Sequence, residues 1–226
     1  MPNIIYIHVA ILERYKERLK MYLNAINKSD LYKNIEKIYI CYVGNVNLTL
    51  DYINEVDSDN KIIITKVSSN LEDYELPTQA NLYKFCKEHP DYKVLYLHTK
   101  GIHGEINQCI EDWVEYMTHF CINKWKDCIN NLDSYSTVGV DLRESPTLHY
   151  SGNFWWATSN HIVSLPEPYD FSNIQKYPNP LNSPRHNQEF WICYDKQSGK
   201  HECLWESNIY CHERHIHLYP KSNYSN

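Results

Sequence analysis

The feature that most constrains this chain is Val94-Leu95-Tyr96-Leu97 followed at once by His98-Thr99-Lys100-Gly101. A short, continuous apolar run after the turn signal Pro90-Asp91 reads as a strand buried on both faces. Such a strand belongs in the middle of a sheet that is covered by helices on each side. In open sheets of this kind, ligands sit beyond the carboxyl ends of the strands. His98, Thr99, Lys100 and Gly101 are therefore candidate site residues, against the plainer alternative that a buried strand simply ends in a polar loop.

The preceding residues supply such a sheet. Asn3–Ala10 reads as a first strand, Ile35–Val43 as a second and Ile62–Val67 as a third. Between them, 13–27 has helical spacing, with Leu19, Tyr22, Leu23 and Ile26 on one side, and a second helix spans 78–87 before Pro90 stops it. The alternation predicts an α/β fold, with a mostly parallel central sheet flanked by helices. Beyond Gly101 the spacing predicts one long helix over 110–132, with Trp113, Met117, Phe120, Cys121, Trp125 and Ile129 facing a core. Strands are expected at 137–142 and 149–156. An extended loop is expected over 166–184, which holds five prolines. A short helix is expected over 187–194, opened by Ser183 and Pro184. In the tail, His215-Ile216-His217 alternates like a strand.

At 226 residues the chain is expected to form a single domain. The net charge of −6 and the lack of an obvious basic face argue against a nucleic-acid partner. No run approaches the roughly 18 apolar residues of a membrane span, and no secretory signal is evident, which points to the cytoplasm. Eight cysteines with no Cys-x-x-Cys pair are expected to be reduced thiols. Gly-rich dinucleotide and Walker phosphate cradles are absent, as is a Gly-x-Ser-x-Gly elbow.

A second distinctive stretch is His149-Tyr150-Ser151-Gly152-Asn153-Phe154-Trp155-Trp156-Ala157. Paired tryptophans beside a glycine can form an apolar platform next to accessible backbone, where sugar C–H surfaces stack. Alternatively the two rings are core residues on opposite faces of a strand.

Taken together, the strand ending in His98-Thr99-Lys100-Gly101, the Trp-bearing helix, Ser151–Ala157 and the later Glu189-Phe190-Trp191 resemble GT-A-type glycosyltransferases. The similar members are those of chlorella and other giant viruses and of bacterial polysaccharide (rhamnan-synthesis-like) clusters. The resemblance spans roughly 4–193. It implies a GT-A-like (Rossmann-like) domain that transfers a sugar from a nucleoside-diphosphate sugar, with uridine diphosphate the favoured carrier, to a glycan or protein-linked hydroxyl. Residues 1–101 would hold the donor, 102–200 the acceptor side, and 201–226 would form a tail. A viral member would work in its host's cytoplasm. The donor site would comprise His8, Val9 and Ala10 at the first strand end, the loop after Val67, and His98 to Gly101. Sugar or acceptor contacts would come from Ser151, Gly152, Asn153, Trp155, Trp156 and Arg185.

GT-A enzymes usually hold a divalent metal with Asp-x-Asp at a strand end, where this chain has His98-Thr99-Lys100. Asp57-Ser58-Asp59 precedes a strand and reads as a turn. Two accounts of the leaving diphosphate follow. Lys100 could neutralise it with no metal. Alternatively, His98 with a C-terminal histidine, His212 or His215, could hold a divalent ion, Mn²⁺ or Mg²⁺. The Cys203, Cys211, His212, His215, His217 spacing fits no zinc finger. Glu189, near a helix start, suits a general base, and Asp141 is the other strand-end carboxylate. Arg143 and Arg185 are candidate contacts for phosphate or a substrate carboxylate. The competing class is a non-catalytic carbohydrate-binding module built on the Trp155/Trp156 platform. A metal-dependent hydrolase ranks below both, for want of a His-Glu-x-x-His spacing.

Overall fold

The computed structural model describes residues 1–174, 184–194, 200–210 and 213–225, with backbone alone for Ile174, Pro184 and Arg185. Strands and helices alternate in chain order. They are β1 (Asn3–Ala10), α1 (Tyr15–Lys28), β2 (Lys37–Val43), α2 (Ile53–Val56), β3 (Ile62–Ser68), α3 (Leu76–Glu88), β4 (Lys93–His98), α4 (Gln108–Thr118) and α5 (Trp125–Asn131). Next come β5 (Thr137–Gly139), β6 (Leu142–Arg143), β7 (His149–Tyr150), β8 (Trp155–Thr158), α6 (Ser159–Ser164), α7 (Pro168–Ile174), α8 (Pro184–Phe190) and β9 (His201–Cys203).

Seven strands form one sheet in the order β3-β2-β1-β4-β8-β5-β9. β1, β2, β3 and β4 run parallel, and β9 runs parallel to β5, while β8 is antiparallel to both its neighbours. The expected α/β fold with a mostly parallel, helix-flanked sheet is the observed one. β4 is buried at all six positions, between β1 and β8.

The period-2 geometry of the strands divides the core between the two faces of this sheet. Ile5, Ile7 and Val9 of β1, Leu95 and Leu97 of β4 and Trp156 of β8 pack under α1, α4 and α5. Ile4 and Tyr6, Val94 and Tyr96, and Trp155 pack on the other face, under α3, α6 and α7. Trp155 and Trp156 are both completely buried, one on each face. Their indole N–H groups donate to Asn153 Oδ1 and Cys121 O, each at 2.8 Å. They are core residues and present no platform to a sugar.

Several expected elements are interrupted. The 110–132 helix breaks at His119–Asn123, where a π turn separates α4 from α5. The strand expected over 137–142 ends at Gly139. Asp141 adopts a left-handed conformation (φ 49°), and β6 then pairs with β7 in a separate two-stranded sheet. The strand expected over 149–156 is likewise split, because Gly152 (φ 94°) and Asn153 (φ 56°) reverse the chain. A side chain at Gly152 would put a Cβ 2.5 Å from Met117 Sδ, so only glycine lets this turn lie against α4. Part of the expected Pro-rich loop is the helix α7. The helix expected over 187–194 opens at Pro184, the first helical residue anticipated for it, but ends at Phe190 and gives way to a single 3₁₀ turn at Trp191–Cys193. Residues 213–217 form turns and not a strand.

Asp57 closes a turn, as its spacing suggests. Its carboxylate accepts from the N–H groups of Lys61 (2.7 Å) and Ile62 (3.0 Å) and from Tyr32. The seven cysteines among the described residues are all free. Among the described residues no helix is long and apolar enough to cross a membrane.

Candidate active site at the strand ends

β1 and β4 lie side by side, and His8 pairs with His98 at their carboxyl ends. The chain leaves β4 through Thr99, whose N–H donates to His8 O at 2.9 Å and whose hydroxyl accepts from Ala10 N–H at 3.2 Å. His8 is buried, with Nδ1 2.8 Å from Thr78 Oγ1 at the start of α3. Val9 belongs to the core, and both backbone groups of Ala10 are used internally. His8, Val9 and Ala10 therefore line the strand end chiefly through groups already engaged within the fold.

His98 is similarly committed. Its Nε2 lies 3.0 Å from Gly152 O, and since a carbonyl only accepts, this nitrogen carries a proton. Its Nδ1 faces Glu75 Oε1 at 3.7 Å. The expected His98, His212, His215 metal set does not fit this arrangement, because neither ring nitrogen of His98 is turned to a ligand. His215 instead meets the edge of Trp113, with ring centroids 6.1 Å apart, and His212 lies outside the described residues. No group of three or more metal-capable side chains occurs among the described residues.

Lys100, half-buried, holds its ammonium 3.9 Å from the centroid of the Trp113 ring, a cation–π contact that fixes the charge at the site's edge. Gly101 turns the chain in the left-handed region (φ 67°), and its carbonyl accepts from Arg14. Glu189 stands near the end of α8 and not near its start as expected, so the N-terminal end of the helix dipole does not hold it ionised. Burial pushes its carboxyl upward, but Lys100, His149, His98 and His186 outweigh that, and the net displacement is downward. Glu189 is only partly buried by surface exposure, so its charged form remains reachable. Lys100 and His98 thus act electrostatically on a carboxyl some ninety residues further along the chain.

A profile of one protein family covers residues 6–220, nearly the whole chain. The protein belongs to DUF8361, a domain of unknown function. No curated protein matches this DUF8361 chain. Solved structures similar to it include a Desulfovibrio desulfuricans G20 protein provisionally named a nucleotide-diphospho-sugar transferase. That protein shares 12% identity over 91% of this chain and 81% of its own, with a TM-score of 0.44. HddC from Yersinia pseudotuberculosis shares 12% identity over 91% of each chain, also with a TM-score of 0.44. Rv0371C from Mycobacterium tuberculosis H37Rv, solved as a complex with manganese, shares 8% identity over 79% of this chain and 85% of its own, with a TM-score of 0.40. At these scores the likenesses say nothing of substrate.

Most of the remaining expected site residues of the DUF8361 chain fall in the interior. Ser151 and Asn153 are buried, and Gly152 is pressed against α4. With Trp155 and Trp156 they build the wall behind the site and present no surface to an acceptor. The side chain of Arg185 lies outside the described residues. Arg143, whose guanidinium donates to Asp141 Oδ1 at 2.9 Å and to Ile209 O at 3.2 Å, is spent on an internal network. Asp141 itself is fully buried. It accepts from Arg143, Arg214 and both the N–H (2.7 Å) and hydroxyl of Ser207. It is a structural anchor and no acid–base group.

Two residues that no local pattern singles out, Glu75 and Gln188, are tied to each other beside these strand ends. Glu75 directly precedes α3, and its Oε2 accepts from Tyr96 OH (2.7 Å) and Asn153 Nδ2 (2.8 Å). Burial drives its carboxyl above the usual range, with His8, Tyr96 and Lys100 opposing. In the sequence it looks like any acidic residue at a helix start ahead of Pro77.

Burial also lowers His8 from its ordinary 6.5 to about 4, with Glu75 opposing and His98 adding to the effect. The folded state therefore prefers neutral His8. That stability is fully present above the unfolded value and is lost as pH falls toward the folded one. At about 1.4 kcal/mol per unit the loss is on the order of 3 kcal/mol. Urea unfolding at about pH 7 and about pH 4.5 is expected to show a clearly smaller loss for His8→Gln than for wild type, and equal losses would acquit His8.

Proposed function

We propose that this protein is a nucleotide-sugar-dependent glycosyltransferase, acting as a single domain. Residues 1–101 would hold the donor, and 102–200 would face a glycan or protein-linked acceptor. The observation that supports this best is that Lys100, just past the carboxyl end of β4, is the largest of the influences that lower the carboxyl of Glu189 on α8. In the reaction, Glu189 takes the proton of the acceptor hydroxyl as that oxygen bonds to the sugar's anomeric carbon. The bond from that carbon to the diphosphate oxygen breaks, and the diphosphate leaves with the electron pair. Lys100 faces the charge that develops there. His8, His98 and Glu75 support the floor and touch neither substrate. Uridine diphosphate is the first carrier to test, because the strand-end motif resembles enzymes that use it.

Thermal shift against nucleoside diphosphates, with and without Mn²⁺, tests binding directly, since a ligand that binds only the folded state raises the melting temperature. Failure of every diphosphate at millimolar concentration would sink the proposal. Lys100→Ala is expected to weaken diphosphate binding by about 10- to 150-fold, the equivalent of about 1.5–3 kcal/mol for a charge-assisted contact. Calorimetry reads this, and an unchanged affinity would remove Lys100 from the donor site.

A further inference from the structure

Gln188 is buried and immediately precedes Glu189 on α8. Its Oε1 accepts from Glu75 N–H at 2.7 Å, and its backbone carbonyl accepts from Gln79 Nε2 at 2.9 Å. Its Nε2 donates to Asp73 O at 3.4 Å. These partners lie 109 to 115 positions away in the chain, and all three are at the entry to α3. An amide suits this place because one end accepts from an N–H while the other donates to a carbonyl, which neither a carboxylate nor an apolar side chain can do.

The seven residues of α8 are too few to be stable alone, so tertiary contacts must set where the helix lies. Glu75, to which Gln188 is tied through its N–H, is itself tied by its carboxylate to Tyr96 of β4. Four residues further along, the same segment presents Lys100. A continuous set of bonds thus runs from the β4 segment through Glu75 to Gln188 and the residue beside it.

We propose that Gln188 is a positioning residue, which fastens α8 to the start of α3 so that Glu189 lies within the influence of Lys100. This rests on the reading of Glu189 as the base. A base misplaced by about an ångström loses about 100-fold in rate. Gln188→Leu removes both side-chain bonds and is expected to lower kcat by about 100-fold, with KM for the donor and nucleotide affinity within about threefold of wild type. In a Glu189→Gln background the same substitution is expected to cost less than about threefold, because residues acting through one group are not additive. An equal cost in both backgrounds, or a matching loss of nucleotide affinity, would overturn the proposal.

A second measurement needs no activity. Cys193, buried just after α8, should be alkylated by iodoacetamide about tenfold faster in Gln188→Leu, while Cys86, buried on α3, labels as slowly as before. Peptide mass spectrometry reads both thiols. Unchanged labelling of Cys193 would show that Gln188 does not hold α8. Absence of transfer in the wild type, with faster Cys193 labelling in the variant, would instead fail the functional reading and leave the fastening intact.

Discussion

Glu189→Gln is expected to slow glycosyl transfer by about 10²–10⁴-fold while leaving nucleotide affinity nearly unchanged. The substitution keeps the shape of the side chain and removes only its capacity to take a proton. Product formation followed by mass spectrometry, with nucleotide titrated by calorimetry, separates the two effects. Transfer at the wild-type rate would show that Glu189 serves only its helix. The pH dependence gives a second check with a definite sign. Lys100, His149, His98 and His186 hold the Glu189 carboxyl below its ordinary value against the upward push of burial. The base form therefore persists into more acidic solution than an ordinary glutamate allows, and the acid limb of kcat/KM should lie below the usual carboxylate range. Lys100 is the largest of the lowering influences, so Lys100→Ala should move that limb upward.

Asp141→Ala is expected to destabilise the fold by about 3–5 kcal/mol, the usual cost of leaving a buried charge without its partner. Arg214 is completely buried among Trp113, Tyr116 and Tyr219, and the Asp141 carboxylate is its ion-pair partner. Removing that carboxylate also strips Arg143 and both donors of Ser207 of a shared acceptor. Burial already lowers Arg214 to about 10, which records how costly its charge is in this place. Urea unfolding measures the loss. A stable, folded variant whose transfer has vanished would instead restore Asp141 as a chemical group.

The two outcomes are opposite in kind, although both carboxylates sit near the ends of short elements and look alike in the sequence. Asp141 follows β5 and Glu189 lies on a predicted helix. What separates them is which cations and donors the rest of the chain delivers. Arg214 and Ser207, 73 and 66 positions away, close around Asp141. Around Glu189 the lowering influences are Lys100 and three histidines, and the side chain is only partly buried.

The amino-acid sequence by itself determined the layered architecture. A continuous apolar run ending in His98-Thr99-Lys100 can be satisfied only by a strand covered on both faces, and its polar end must then open at the sheet's edge. It likewise carried both readings of Trp155-Trp156, since alternation puts adjacent side chains on opposite faces of any strand. Only the tertiary structure decided between a platform and a core, because that depends on whether both faces of β8 are covered, and here they are. It also broke the long helix at His119 and the strands at Asp141 and Gly152, where packing against distant residues overrides local periodicity. Glu75 and Gln188 were invisible for the same reason. Their roles come from a hydrogen bond between residues 113 positions apart, and no local pattern encodes a contact that exists only once β4, α3 and α8 have met.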